Sequence, residues 1–145
     1  MIQILQTALD TDIPLTRSIG IKVVSYKNSC LKLHAPLAPN TNHKRTAFGG
    51  SLYSVSVLTG WGLIYLLMKE HGLSGHIVIQ ESQTRFLHPV THDIESSCTL
   101  ASDEQLQKFI RQYQRKGTAR LKLECQINCD SRTSVIFSGS YVVHK

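Results

Sequence analysis

Charge is scarce in this sequence: only 18% of its residues are Asp, Glu, Lys or Arg. Aromatic residues make up 7%, with a single Trp, and there are four prolines. So little charge beside ordinary apolar content excludes a disordered chain, and the shortage of Pro and Gly excludes a collagen-like one. No repeat with a period of about 20–50 residues recurs, which excludes a solenoid. The cysteines are also few. Cys30, Cys98, Cys125 and Cys129 form no CxxC pair. Cys125 and Cys129, four apart on one strand, would sit about 13 Å apart at roughly 3.3 Å per residue, too far for a disulfide. They read as reduced thiols of a cytoplasmic protein. The start, MIQILQTALDTD, has neither a basic region nor a continuous apolar stretch, so it does not read as a secretory signal. Walker, GxGxxG and serine-elbow motifs are absent. His88 and His92 straddle Pro89 in a turn, so no metal is expected.

What is present amounts to one domain spanning residues 1–145, with 41% hydrophobic residues, enough for a core without disulfide or metal staples. The net charge of +6 is uneven. Six bases face two acids in residues 1–50, two face four in 51–100, and eight face four in 101–145. Such a balance suits an anionic partner, or simply solubility.

Ile2, Leu5, Leu9 and Ile13 recur at helical spacing. Asp12 reads as the cap of a second helical turn over Pro14 to Ile19, stopped by Gly20. Ile21 to Tyr26 and Leu31 to Leu37 read as a hairpin, and Ala38 to Thr46 as a loop. From Thr46 to Met68 there is no charged residue at all. That length could span a bilayer. Its serines, threonines and four glycines argue instead for a helix starting after Gly49-Gly50, ending near Gly72 and wrapped by protein. Beyond it come strands over Ile77 to Leu87 and Ile94 to Ser102. A helix capped by Asp103 and stopped at Gly117 follows, then strands over Ala119 to Cys129 and Val135 to His144. The expected architecture is α+β: four successive strands in an antiparallel meander, with the earlier hairpin making about six, curled around one long helix. An open sheet edge invites pairing with a second copy.

With these elements placed, the sequence resembles the hotdog-fold thioesterase superfamily. The block Asn40-Thr41-Asn42-His43-Lys44-Arg45-Thr46-Ala47-Phe48-Gly49-Gly50-Ser51-Leu52 is similar to the loop that enters the hotdog helix. In particular it resembles the thioesterase-like domain found behind an acetyltransferase domain in some bacterial proteins, here expected to stand alone. Related thioesterases acting on aromatic and medium-chain acyl-CoA carry Asn and then His-Gly-Gly in this loop. Asn42 and Gly49-Gly50 match, while Phe48 stands where that subfamily has histidine. That subfamily also places Asp or Glu in the second or third helix turn, where this chain has Ser56-Val57-Leu58.

The residues themselves suit a thioester. Helix-opening glycines leave free N–H groups at the positive end of the dipole and let a carbonyl oxygen approach. Gly49 and Gly50 are therefore the candidate oxyanion donors, or else they only permit a tight turn. Asn42 orients water or shapes the loop as an Asx-turn. His43 is a candidate base. Glu81, inside the long strand, where the resemblance to hotdog dimers puts residues beside the partner's helix entrance, is the expected substitute for the missing helix acid, with Asp93 a weaker one; the alternative is a solvent-facing position. Lys44, Arg45, Thr46, Phe48, Ser51, Gln80, Arg115 and Lys116, with Arg111, are candidate substrate contacts, the cations meeting phosphates of coenzyme A or of a carrier protein's phosphopantetheine.

The expected activity is hydrolysis of acyl-CoA or acyl-carrier-protein thioesters by direct attack of water, in a bacterial, cytoplasmic homodimer or dimer of dimers. No cofactor, metal, nucleic acid or membrane span is expected. The alternatives are a non-catalytic acyl-CoA-binding domain and a hydratase or dehydratase on the same fold; the last would need a histidine with a helix carboxylate.

Overall fold

Gly49 to Glu70 form a 22-residue helix, α3. It carries no charge until Lys69, and twelve of its residues are buried, from Leu52 to Met68. Its buried hydroxyls turn inward for partners. Ser56 Oγ donates to Leu52 O at 2.8 Å, and Thr59 Oγ1 donates to Val55 O at 2.7 Å and lies 2.8 Å from Ser96 Oγ. Polar groups satisfied on their own helix carry little desolvation cost, so the helix can be buried. It is long and apolar enough to cross a membrane, yet 67% of its apolar window is buried inside the fold.

The computed structural model describes residues 1–145. Before α3 come α1 (Ile2–Asp12), α2 (Leu15–Ile19), β1 (Lys22–Lys27), β2 (Cys30–Ala35) and a 3₁₀ turn at Ala38–Asn40. After it come β3 (His76–Phe86), β4 (Ile94–Thr99), α4 (Asp103–Lys116), β5 (Thr118–Cys129) and β6 (Arg132–His144). The six strands form one antiparallel sheet in the order β1-β2-β4-β5-β6-β3. A cluster of 34 buried residues lies between this sheet and the helices. The fold is the expected α+β one, a curved six-stranded sheet around a long helix.

The expected meander is corrected at β3. That strand pairs with β6, not with β4. Strands adjacent in sequence usually pair, but here the β5–β6 hairpin closes locally through a two-residue turn, Asp130-Ser131, with φ of 53° and 63°. β6 then has a free edge, which β3 occupies. The β3–β4 connection crosses the end of the sheet, where Leu87 N donates to Ser134 O and buried Val90 accepts from Ala47 N. β3 is consequently an outer strand with an unpaired edge, and β1 is the other.

Two caps also differ from expectation. Pro14, not Asp12, precedes the first residue of α2. Ser102, not Asp103, caps α4, its Oγ accepting from Gln105 N at 3.1 Å, while Asp103 and Glu104 occupy the first turn and favour the dipole. Capping at Ser102 also shortens β4, which stops at Thr99 rather than Ser102. Gly117 ends α4 at φ 72°. All four cysteines are free thiols, and burial pushes that of Cys125 up.

Candidate functional site

The site grows from the chain that enters α3. Asn40, 3% exposed, donates from Nδ2 to Ile19 O and Pro36 O, both at 2.8 Å. Its own carbonyl accepts from Phe48 N at 2.7 Å. One buried amide thus ties the end of α2 to the start of α3. Between these points the loop folds on Asn42. Its Oδ1 accepts from Lys44 N at 2.8 Å and Thr46 N at 3.1 Å, and its Nδ2 donates to Thr46 Oγ1 at 2.9 Å. The Asx-turn is formed, and it leaves Asn42 one free N–H. His43, Lys44 and Arg45 project from it as exposed residues, Arg45 at φ 64°.

Phe48 precedes the first helical residue, and Leu52 N already donates to its carbonyl. The N–H groups of Gly49, Gly50 and Ser51 have no protein partner. They converge at the positive end of a helix with no acid in its first turn. A Cβ on Gly50 would lie 2.4 Å from Phe48 Cε2, so the Phe48 ring rests directly against that glycine. A Cβ on Gly49 would meet the Phe86 ring at 3.8 Å. Tyr53, one turn further, places its hydroxyl 2.9 Å from Ser82 Oγ and its ring edge-on to Phe137. The outcome is a patch of donors walled by aromatics on open surface, with Phe48 55% and Phe86 54% exposed.

A bulge decides what β3 presents to this patch. Ile79 pairs with Tyr141, but Glu81 pairs with Ser140, so Gln80 is an extra residue. Beyond it Ser82, Thr84 and Phe86 share the helix-facing side with Gly139, Phe137 and Val135. Glu81 lies with Ser140 on the other face. Simple alternation from Ile77 and Ile79 would have turned Glu81 toward the helix; the bulge reverses it. The Glu81 carboxylate therefore does not face Gly49 and Gly50 of its own chain. Asp93 does not either: it accepts from Leu37 N at 2.8 Å and His34 Nε2 at 3.0 Å, which hold its carboxyl below the usual range. Arg111, Arg115 and Lys116 lie at the opposite end of α3, because α4's Tyr113 hydroxyl donates to Ser74 O, past that helix's last turn. Helix α3, 22 residues and about 33 Å long, lies between that end and the loop of Lys44 and Arg45.

A model of the family described as "Putative thioesterase (yiiD_Cterm)" matches residues 2–145. The chain belongs to this thioesterase family. The hotdog domain is also similar to solved structures along its whole length. A protein of unknown function from Chlorobaculum tepidum is 34% identical, covering 99% of this chain and 93% of that one, with a TM-score of 0.96. A structure from Shewanella oneidensis described as a putative thioesterase is 31% identical, covering 99% and 97%, with a TM-score of 0.87. The Escherichia coli PaaI protein from the phenylacetic acid degradation operon shares the fold at 14% identity, covering 99% and 92%, with a TM-score of 0.66.

Within this thioesterase-like domain Asn42, His43, Lys44, Arg45, Thr46, Phe48, Gly49, Gly50 and Ser51 share the entrance loop and the first turn of α3, as their contiguity in the sequence requires. The sequence reading missed Asn40 as the anchor, Tyr53 and Ser82 as a wall, and Phe86 across the glycines. Asn40 stood inside the block that carried the resemblance, but only its burial shows its role.

Proposed function

We propose that the chain hydrolyses acyl thioesters, working as one cytoplasmic domain in a homodimer. The observation that carries this is the set of unpartnered N–H groups at Gly49 and Gly50, without a Cβ and with aromatic walls. A thioester carbonyl set against these donors gains stabilisation as its oxygen becomes an oxyanion. Phe48, Phe86 and Tyr53 offer the acyl chain apolar surface. Water attacks the carbonyl carbon, and the tetrahedral intermediate expels the thiol. Asn42, with one free N–H, and His43 are the polar groups of the entrance loop that position and deprotonate this water. No carboxylate of α3 takes part, because the first acid on that helix is Glu70, at its last position.

The second copy follows from the free edge of β3. Its row of unpaired backbone groups, with Val78, Phe86 and Leu87 exposed, suits antiparallel pairing with itself. The uncharged helix favours a second reading: a domain that binds acyl-CoA without hydrolysing it. Assay of purified protein across acyl-CoA chain lengths, with binding measured in parallel, separates the two. Hydrolysis that falls at least a hundredfold in His43→Gln or Asn42→Ala supports the mechanism. Binding without turnover by the wild type overturns it in favour of the second reading.

A further inference from the structure

Two buried thiols face each other across the β4–β5 seam. Cys98 is 1% exposed and Cys125 is fully buried. The antiparallel register sets them directly opposite one another. Both lie on the buried side of the sheet, with Ile94 and Ser96 on β4 and with Leu121 and Leu123 on β5. Opposed residues of an antiparallel pair have Cα atoms about 4.5–5.5 Å apart, inside the range of about 4.4–6.8 Å that a disulfide spans. Burial, and next the Cys98 thiol itself, push the Cys125 thiol up. Neither of the other two cysteines has a thiol opposite it. Cys30 is paired with Lys27 and Thr99, and Cys129 with Arg132.

This seam is the shortest in the sheet. β4 and β5 pair only as Ser96 with Ile127, Ser97 with Gln126 and Cys98 with Cys125. β2 holds the other edge of β4 from Ile94 to Thr99, and β6 holds β5 along its length. The thiol rung is the last one. Beyond it β4 stops at Thr99, while the Thr118 end of β5 is flanked by α4, whose Gln105 Nε2 donates to Lys122 O at 2.9 Å. A terminal rung opens at lower cost than the middle of a ladder, and opening here uncovers both sulfurs together. We infer that Cys98 and Cys125 are a redox modification site, bridged by a peroxide when this rung opens. One thiolate attacks a peroxide oxygen, the O–O bond breaks, and a sulfenic acid and water form. The facing sulfur attacks the sulfenic sulfur, the S–O bond breaks and a second water leaves. Two thiols thus give two electrons and two protons to one peroxide. The closed rung is protected, because a buried thiol held above its ordinary range offers little thiolate. The bridge closes residues 98 to 125, with all of α4, into one loop.

Hydrogen peroxide added to the full chain tests the site, read by thiol titration and by peptide mapping without reduction. A peptide joining Cys98 to Cys125 should appear, and dithiothreitol should remove it. The oxidised protein should melt about 5 °C or more above the reduced one, because the closed loop constrains the unfolded chain. Cys30→Ser with Cys129→Ser keeps only the opposed pair and should lose both remaining thiols together. Cys98→Ala, checked for folding by circular dichroism, should form no bridge. The wild-type map decides the question even where a variant fails to fold. Sulfinic acid on Cys98 or Cys125 in place of the bridge overturns the site, as does a pair that stays reduced in millimolar peroxide. A bridge made by Cys30 or Cys129 also overturns it. A bridge that forms only in urea that fully unfolds the chain overturns the opening of the rung, and an oxidised protein that melts at or below the reduced one overturns the loop constraint.

Discussion

Gly60→Ala is the most informative single change in the core. Gly60 lies inside a regular helix, so alanine suits its backbone and favours the helix by about 0.5–1 kcal/mol. Packing opposes it. A Cβ there would stand 2.3 Å from Tyr141 Oη and 2.7 Å from Cζ. Tyr141 is fully buried, and its hydroxyl donates to Val57 O at 2.7 Å, so the ring has nowhere to retreat. Overpacking costs about 1–3 kcal/mol. Displacing the hydroxyl from its only acceptor adds about 1–3 kcal/mol for a buried donor left unmade. The penalties exceed the propensity gain, and the net loss is about 1–5 kcal/mol. For a chain of this size that lowers Tm by about 3 °C per kcal/mol. Urea denaturation followed by far-UV circular dichroism measures it. Tyr141→Phe removes the nearest atom, so Gly60→Ala with Tyr141→Phe should cost at least 1 kcal/mol less than the two single changes added. A Gly60→Ala variant as stable as the wild type would refute the reasoning, since helix propensity would then outweigh the contact.

Three further changes probe the site and its supports. Asn40→Leu should cost about 2–4 kcal/mol in the same denaturation experiment, because Ile19 O and Pro36 O lose their donor while the site is buried. Gly50→Ala should leave stability within about 0.5 kcal/mol, since the exposed Phe48 ring can swing away, yet lower kcat/KM for acyl-CoA at least tenfold by crowding the donor patch; full activity would remove Gly50 from the site. Asp93, held low by the Leu37 N–H and then by His34, keeps its proton off to lower pH in the folded protein than in the unfolded chain. Its contribution is thus present above the unfolded carboxylate value of about 3.9 and is lost as pH falls through the folded value. Asp93→Asn should flatten the loss of stability below about pH 4, and an unchanged acid limb would remove the assignment.

Local chemistry made most elements readable. The two-residue turns, the Gly20 and Gly117 stops and the uncharged run of α3 each act within a few residues, so α1 to α4 and the six strands were legible. The entrance loop was legible for the same reason: the Asn42 side chain bonds only to Lys44 and Thr46. The resemblance in that block supplied the chemistry expected of it.

Tertiary structure alone decided the rest. Which strand takes the free edge of β6 is a competition between distant segments, and no local signal at β3 announces that it passes over β4. The bulge at Gln80 is likewise a property of the pair, set where Ile79 and Glu81 meet Tyr141 and Ser140. With a side-chain period of two, that one extra residue moved Glu81 to the outer face and Ser82, Thr84 and Phe86 to the helix. The same topology sent Arg111, Arg115 and Lys116 to the far end of α3 from Lys44 and Arg45. Residue types and spacing along the chain determined which groups are available for chemistry. Strand order and register, which depend on contacts between residues far apart in sequence, determined which of them share a face.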